Sequence, residues 1–230
     1  MTIMPVHVYR FMLSEDLKAI YAYLKRLPPI RNPIRLDYLP PFPFPPVPTP
    51  PLSGQSAEER GRELIPFLSS GPDAEAWIAG FQSTTSNLSA ADRSKVDRGS
   101  YLINAMSDCN GCHTDGIKDG NYDTGLLPGT FDVNAGAYLA GGVNLGRLFF
   151  LPINVFSRNL TPHPDTGLKL TEEQFIQVMR FGADFRRPGG SLRVLPHFPA
   201  EFRMTLEDLQ SVYAYLRNIP AVDNKIEIIP

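Results

Sequence analysis

The chain has 230 residues, with 22 Lys and Arg against 24 Asp and Glu and a formal net charge of −2. That length supports one or two domains with real cores, and a charge this close to neutral gives no reason to expect nucleic acid or an anionic membrane as partner. No apolar run reaches the roughly 18 residues of a bilayer-spanning helix, and the compositional outlier is proline, 23 residues, about twice the usual share.

In chain order, Met1–Arg10 shows no basic start, apolar core or small-residue cleavage site, so no export signal is visible there. Ser14 to Leu27 reads as an amphipathic helix. Leu17, Ile20, Tyr21 and Leu24 recur at helical spacing, Glu15 and Asp16 occupy the first turn, and Lys25 and Arg26 the last, complementing the helix dipole at both ends. Pro28-Pro29 stops it. The same signals return near the C-terminus, from Met204 to Pro220: the two segments match at Met, at Glu-Asp-Leu, at Tyr-Ala-Tyr-Leu and at the closing proline, an internal repeat. Thr205 with Asp208 fits a helix cap, and Met204 with Leu209 a hydrophobic staple.

Between Pro28 and Ser53 the density of proline removes backbone donors and favours an extended, semi-rigid strap. Its Tyr38, Leu39, Phe42 and Phe44 are read as lying along a neighbour's surface, in an inter-domain connection, in preference to a ligand for an aromatic groove. Short helices are predicted over 57–68 and 73–81. A further domain starts near Ser89 with a helix over 92–106, in which Gly99 is unfavourable unless another element approaches closely. The C-terminal helix is expected to cross there, with Tyr213 or Leu216 over Gly99. Residues 114–158 read as loop-rich, and Thr171–Phe181 as a helix stopped by Gly182.

Both cysteines fall in Cys109-Asn110-Gly111-Cys112-His113. Two sulfurs about one helical turn apart can each form a thioether to the same porphyrin, and the next residue is then placed beneath the iron as an imidazole ligand, so the run reads as a c-type haem attachment site. Zinc needs four ligands, and neither a second cysteine pair nor finger-like spacing of His7, His163 and His197 is present. A thioredoxin-like redox pair gives His113 no role and needs a strand before it and a helix after it. A structural disulfide across two residues would close a small, strained ring.

The order Gly99-x-Tyr101-Leu102, Cys109-x-x-Cys112-His113-Thr114, Gly141-Gly142, Asn159-Leu160-Thr161-Pro162, Arg180-x-Gly182, Leu195-Pro196 and Glu207-Asp208-Leu209 resembles bacterial multihaem cytochromes c, among them the cytochrome subunits of alcohol and gluconate-type dehydrogenases. The resemblance covers about 92–222 and, in duplicate, 2–29. It implies an all-α, class I-like cytochrome c domain around one covalent haem c, in the periplasm or at the periplasmic face of the membrane, with a dehydrogenase or another cytochrome subunit as redox partner. Asn159, Thr161 and Arg180 become candidates for the propionates or the haem edge. The expected division is 1–28, the last helix of an incomplete cytochrome c domain; 29–56, the Pro-rich linker; 57–88, a helical connector; 89–222, the haem domain; and 223–230, a tail. The chain is thus expected to begin inside a cytochrome domain.

One departure bears on chemistry. Relatives take the sixth iron ligand from a Met-Pro pair; Met4-Pro5 keeps it, whereas the haem domain has Leu195-Pro196, and leucine cannot bind iron. His197, Met204 and an open or water-filled site are the alternatives, the first giving bis-His ligation. Function follows accordingly: single-electron transfer without acid, base or nucleophile; a five-coordinate haem that binds or reduces a small ligand such as peroxide; or a structural subunit that completes a partner cytochrome's fold.

Overall fold

The computed structural model describes residues 6–31, 52–68, 73–114, 133–148, 154–185, 190–191 and 204–226. Most of the Pro-rich strap, Met4-Pro5 and the segment Leu195-Pro196-His197 lie outside these residues. In chain order the helices are α1 Val6–Tyr9, α2 Ser14–Arg26, α3 Ala57–Leu68, α4 Ala74–Thr85, α5 Ala90–Tyr101, α6 Cys109–His113, α7 Leu145–Leu148, α8 Glu172–Phe181 and α9 Leu206–Asn218. Two strands of two residues, β1 Ala183–Asp184 and β2 Gly190–Ser191, pair antiparallel with Asp184 opposite Gly190. The described residues are therefore mostly helical, as the sequence pattern predicts.

Helix α5 is the axis of the core. Ser89 caps it by accepting the Asp92 N–H at 3.1 Å, satisfying one of the donors that a helix start leaves without an internal partner. Past Tyr101 the chain continues as a π-helical turn, Leu102–Met106, so the helix predicted over 92–106 is one rod whose last turn is wider than an α-turn.

Helix α9 crosses α5 at Gly99, where a Cβ would stand 2.0 Å from the Ser211 carbonyl oxygen and 2.7 Å from Tyr215 Cβ. The close approach foreseen from Gly99 is present, but Ser211 and Tyr215 make it, not Tyr213 or Leu216. Ser211 and Tyr215 are four residues apart and so share one ridge of α9, whereas Tyr213 is turned to α8, with its ring 5.6 Å from that of Phe175. Helix α3 reaches α5 in the same way, with Gly61 against the Asp97 carbonyl.

Polar contacts bind the three helices as well. Asp97, 1% exposed, takes Arg62 and Arg93 at 2.8 Å each. Arg98 reaches Asp208 of α9 at 2.7 Å and Glu58 of α3 at 3.3 Å.

One apolar cluster unites Leu64 and Ile65 of α3, Trp77 and Phe81 of α4, Tyr101 and Ile103, Tyr138, and Tyr215, Leu216 and Ile219. Trp77 stacks on Phe81 at 5.5 Å and meets Tyr138 edge-on at 5.4 Å, favourable geometries for aromatic pairs. Inside it, Tyr138 donates to Asn104 Oδ1 at 2.6 Å, its hydroxyl lies 3.0 Å from that of Tyr215, and Asn104 Nδ2 donates to the Ser100 carbonyl at 2.9 Å. The buried hydroxyls are thereby satisfied, and burial pushes the Tyr215 phenol up to about 12.

The N-terminal segment docks on this body. Val8, Phe11 and Met12 are buried, and Tyr101 accepts the Leu13 N–H at 3.0 Å while donating to Asp16. Beyond this anchor α2 has no buried residue.

Candidate functional site

The five-residue helix α6 is one turn that carries Cys109, Cys112 and His113. Asp108, in the left-handed region at φ 48°, caps it and accepts the Gly111 N–H at 3.2 Å. Asp tolerates this conformation because its short side chain bonds back to the local backbone. At the other end Thr114 donates to Asn110 Oδ1 and accepts the Leu139 N–H at 2.9 Å, and Gly141 donates to the His113 carbonyl at 2.6 Å. Both ends of the turn are therefore fixed.

The imidazole of His113 has its own anchor: Nδ1 lies 2.8 Å from the Arg158 carbonyl oxygen. A carbonyl can only accept, so Nδ1 carries the proton and Nε2 presents the lone pair, the arrangement that orients a histidine toward a metal. Burial lowers the pKa of His113, against the opposing pull of the Arg158 carbonyl, which favours the neutral ring that ligation needs. Arg158 is held in turn by its neighbours, since Ser157 exchanges backbone bonds with Gly142 and Val143 at 3.1 and 2.9 Å and Leu160 donates to Leu139 at 2.8 Å.

Cys109 and Cys112 are not joined to each other. Burial, with Asp108 nearby, pushes their thiols up to about 12 and about 11. Protonated thiols are poor thiolate ligands and poor redox nucleophiles at neutral pH. Among the described residues no group of three or more His, Cys, Asp or Glu side chains is placed to hold a metal ion. The donor set, two thiols and one oriented imidazole on a single turn, fits haem c.

Asn159 and Thr161 are buried close by in sequence to Arg158, but their polar groups are committed. Asn159 Oδ1 accepts the Thr161 N–H at 2.9 Å, Asn159 Nδ2 donates to the Val222 carbonyl at 2.8 Å, and the Val222 N–H donates to Thr161 Oγ1 at 3.1 Å. They lock the loop bearing Arg158 to the C-terminal tail. Arg180 is exposed in the last turn of α8, and His197 lies outside the described residues.

Sequence reasoning missed Asp108, Arg158 and Asn224, the last of which donates to the Ala140 carbonyl at 3.0 Å, and gave Thr114 a place in the motif without a role. Asp108 directly precedes the motif and carries a readable N-cap signal. Arg158 acts through its carbonyl, and main-chain atoms leave no mark in a sequence.

No protein-family model matches the chain. It is 34% identical over 137 residues to the fructose dehydrogenase cytochrome subunit of Gluconobacter japonicus, covering 59% of this chain and 23% of that protein. It is 31% identical over 127 residues to the cytochrome c subunit of the quinone alcohol dehydrogenase of Gluconacetobacter polyoxogenes, covering 54% of this chain and 22% of that protein, and the Komagataeibacter europaeus subunit matches equally. The chain thus spans less than a quarter of the length of these curated relatives. Its curated homologues are cytochrome c subunits of fructose and quinone alcohol dehydrogenases.

Proposed function

We propose that the chain is an electron-transfer cytochrome carrying one haem c, attached through Cys109 and Cys112 with His113 as axial ligand, within residues 89–222. The observation that carries this is the placement of all three side chains on one turn whose imidazole is aimed by the Arg158 carbonyl at 2.8 Å. Haem supplies the one-electron chemistry when bound. Of the chain's own residues, the two thiols would tether the group and His113 would ligate it through Nε2, while the Arg158 carbonyl fixes the ring and the apolar cluster that includes Tyr138, Leu139 and Tyr215 packs against Cys109. Asn159 and Thr161 serve by holding the Arg158 loop, Arg180 is assigned to the outer haem edge, and His197 is the proposed sixth ligand. The similarity to dehydrogenase cytochrome subunits supports a dehydrogenase as redox partner and a periplasmic setting, and no helix among the described residues is long and apolar enough to cross a membrane.

A pyridine haemochrome spectrum with intact-mass measurement tests the reading. One covalent haem per chain is expected, lost in Cys109→Ala/Cys112→Ala; an unmodified mass with two labelled thiols overturns it. A low-spin ferric spectrum that turns high-spin in His197→Ala supports His197. Ready binding of cyanide by the unaltered protein supports a five-coordinate site instead.

A further inference from the structure

Among the described residues two that are not glycine hold a left-handed backbone, Asp108 at φ 48° and Leu139 at φ 55°. Asp108 caps α6, and its short polar side chain favours that conformation. Leucine has no group to bond back to its own backbone, so its left-handed φ is strained and persists only where the surroundings over-determine it. Two features do so here. The Leu139 side chain is 0% exposed in the apolar cluster, and its neighbour Tyr138 is anchored on Asn104 Oδ1 at 2.6 Å.

A strained residue that served only its own turn would bond within that turn. Leu139 sends both main-chain groups elsewhere. Its N–H donates at 2.9 Å to Oγ1 of Thr114, the residue after His113, and its carbonyl accepts at 2.8 Å from Leu160, two residues past Arg158. Gly141 then donates to the His113 carbonyl at 2.6 Å, and a Cβ at Gly141 would stand 2.5 Å from the Arg158 carbonyl oxygen. Residues 139–141 therefore touch both partners of the bond between His113 Nδ1 and the Arg158 carbonyl.

We infer that Leu139 is a positioning residue for His113: its left-handed backbone is the splint that sets the spacing between the turn bearing both cysteines and the carbonyl that orients the imidazole. The N–H and C=O of one residue are aimed together by its φ and ψ, so an ordinary φ at 139 would swing one of them off its partner. The bond to Arg158 makes the imidazole a more basic ligand, and such bonds are among the levers on a haem's potential. The inference rests on the electron-transfer reading for that consequence, and on the hydrogen bonds alone for the geometry.

The test follows the His113 Nδ1 proton by NMR in the isotope-labelled full chain, through its exchange with solvent and the ring nitrogen shifts that report the tautomer. The unaltered protein is expected to show a single tautomer with a slowly exchanging Nδ1 proton. Leu139→Ala and Thr114→Val should each speed that exchange about tenfold, as local opening of a protected site does. Thr114→Ser keeps the hydroxyl and should restore slow exchange, and Leu64→Ala, which opens an equal hole in α3, should leave it unchanged. In haem-loaded samples Leu139→Ala and Thr114→Val should also shift the midpoint potential upward, since a weaker bond to Arg158 leaves the imidazole less basic. Leu139→Gly should be no less stable to urea than Leu139→Ala, because glycine accepts positive φ freely. Exchange indifferent to both Leu139→Ala and Thr114→Val, or moved as far by Leu64→Ala, overturns the inference, and so does Leu139→Gly proving the less stable. If Leu139→Ala does not fold, the Thr114 pair decides. Exchange is read with or without haem, so a chain that carries none sinks the electron-transfer reading and leaves this test to its own result.

Discussion

Helices α2 and α9 carry nearly the same pattern and meet opposite fates. Both run for 13 residues, both hold acidic residues in the first turn and basic ones in the last. Yet α9 buries Leu209, Val212, Tyr215 and Leu216 on α5, while α2 buries nothing. Amphipathicity tells which face of a helix seeks a partner; it does not supply the partner. The capping differs in step with this: Thr205 accepts the Asp208 N–H at 3.1 Å, whereas Leu13, at the same place before α2, offers no side-chain oxygen.

The comparison is most sharply tested by truncating matched tyrosines. Tyr215→Ala should destabilise the protein by about 4 kcal/mol, the range for removing a buried aromatic side chain, and Tyr23→Ala by no more than about 0.5 kcal/mol; urea unfolding of both variants measures the difference. If Tyr23→Ala proves equally costly, α2 is covered in the protein alone and the contrast fails.

Next in size is the crossing point. Gly99→Val forces a branched side chain onto the Ser211 carbonyl and should cost about 3 kcal/mol, at the upper end for overpacking, while Ala19→Val on the open face should cost about 0.5 kcal/mol through helix propensity. Thermal unfolding, followed by far-ultraviolet circular dichroism, reads both.

Smaller effects come from the polar contacts at the matched aspartates. Tyr101→Phe removes the hydroxyl that accepts from Leu13 and donates to Asp16, a loss of about 1 kcal/mol, seen as faster amide exchange over residues 8–16. Burial, reinforced by Asp16, raises the Tyr101 phenol above its ordinary value. The folded state then holds this proton more firmly than the unfolded chain, so the contact contributes fully below the unfolded phenol's pKa of about 10 and is lost as the pH climbs beyond it. Amide protection of residues 8–16 should be level through neutral pH and fall in alkali, and Tyr101→Phe should abolish that alkaline step. Smallest is Asp208→Asn, which weakens the half-exposed pair with Arg98 by about 0.5 kcal/mol in a salt-dependent way; denaturation at low and high ionic strength separates it from the apolar terms.

Several features of the fold were legible because they rest on local chemistry. The helices over 57–68 and 171–181 follow from periodicity and flanking breakers, and Thr171 and Gly182 serve as the N-cap and the left-handed C-cap. Gly99 announced a close approach, since a glycine inside a helix has a cost that only a neighbour's proximity offsets. Which residues arrive there was not legible: the choice of Ser211 and Tyr215 over Tyr213 and Leu216 depends on the rotation of α9 about its axis, and that rotation is set by contacts with α8 as well as α5. Nor did periodicity announce that α5 extends into a π-helical turn with Asn104 buried in it.

What the sequence determined by itself is the reactive set and its spacing: Cys109, Cys112 and His113 fall on one turn because two intervening residues span about one helical turn. What only the tertiary structure decided is the orientation of that set, through the Arg158 carbonyl that selects the His113 tautomer, and the fate of the repeated helix, buried at one end of the chain and bare at the other. The physical reason is common to both. Local chemistry fixes which groups a segment offers, but hydrogen bonds and apolar burial need a second surface, and that surface comes from residues far away in the chain.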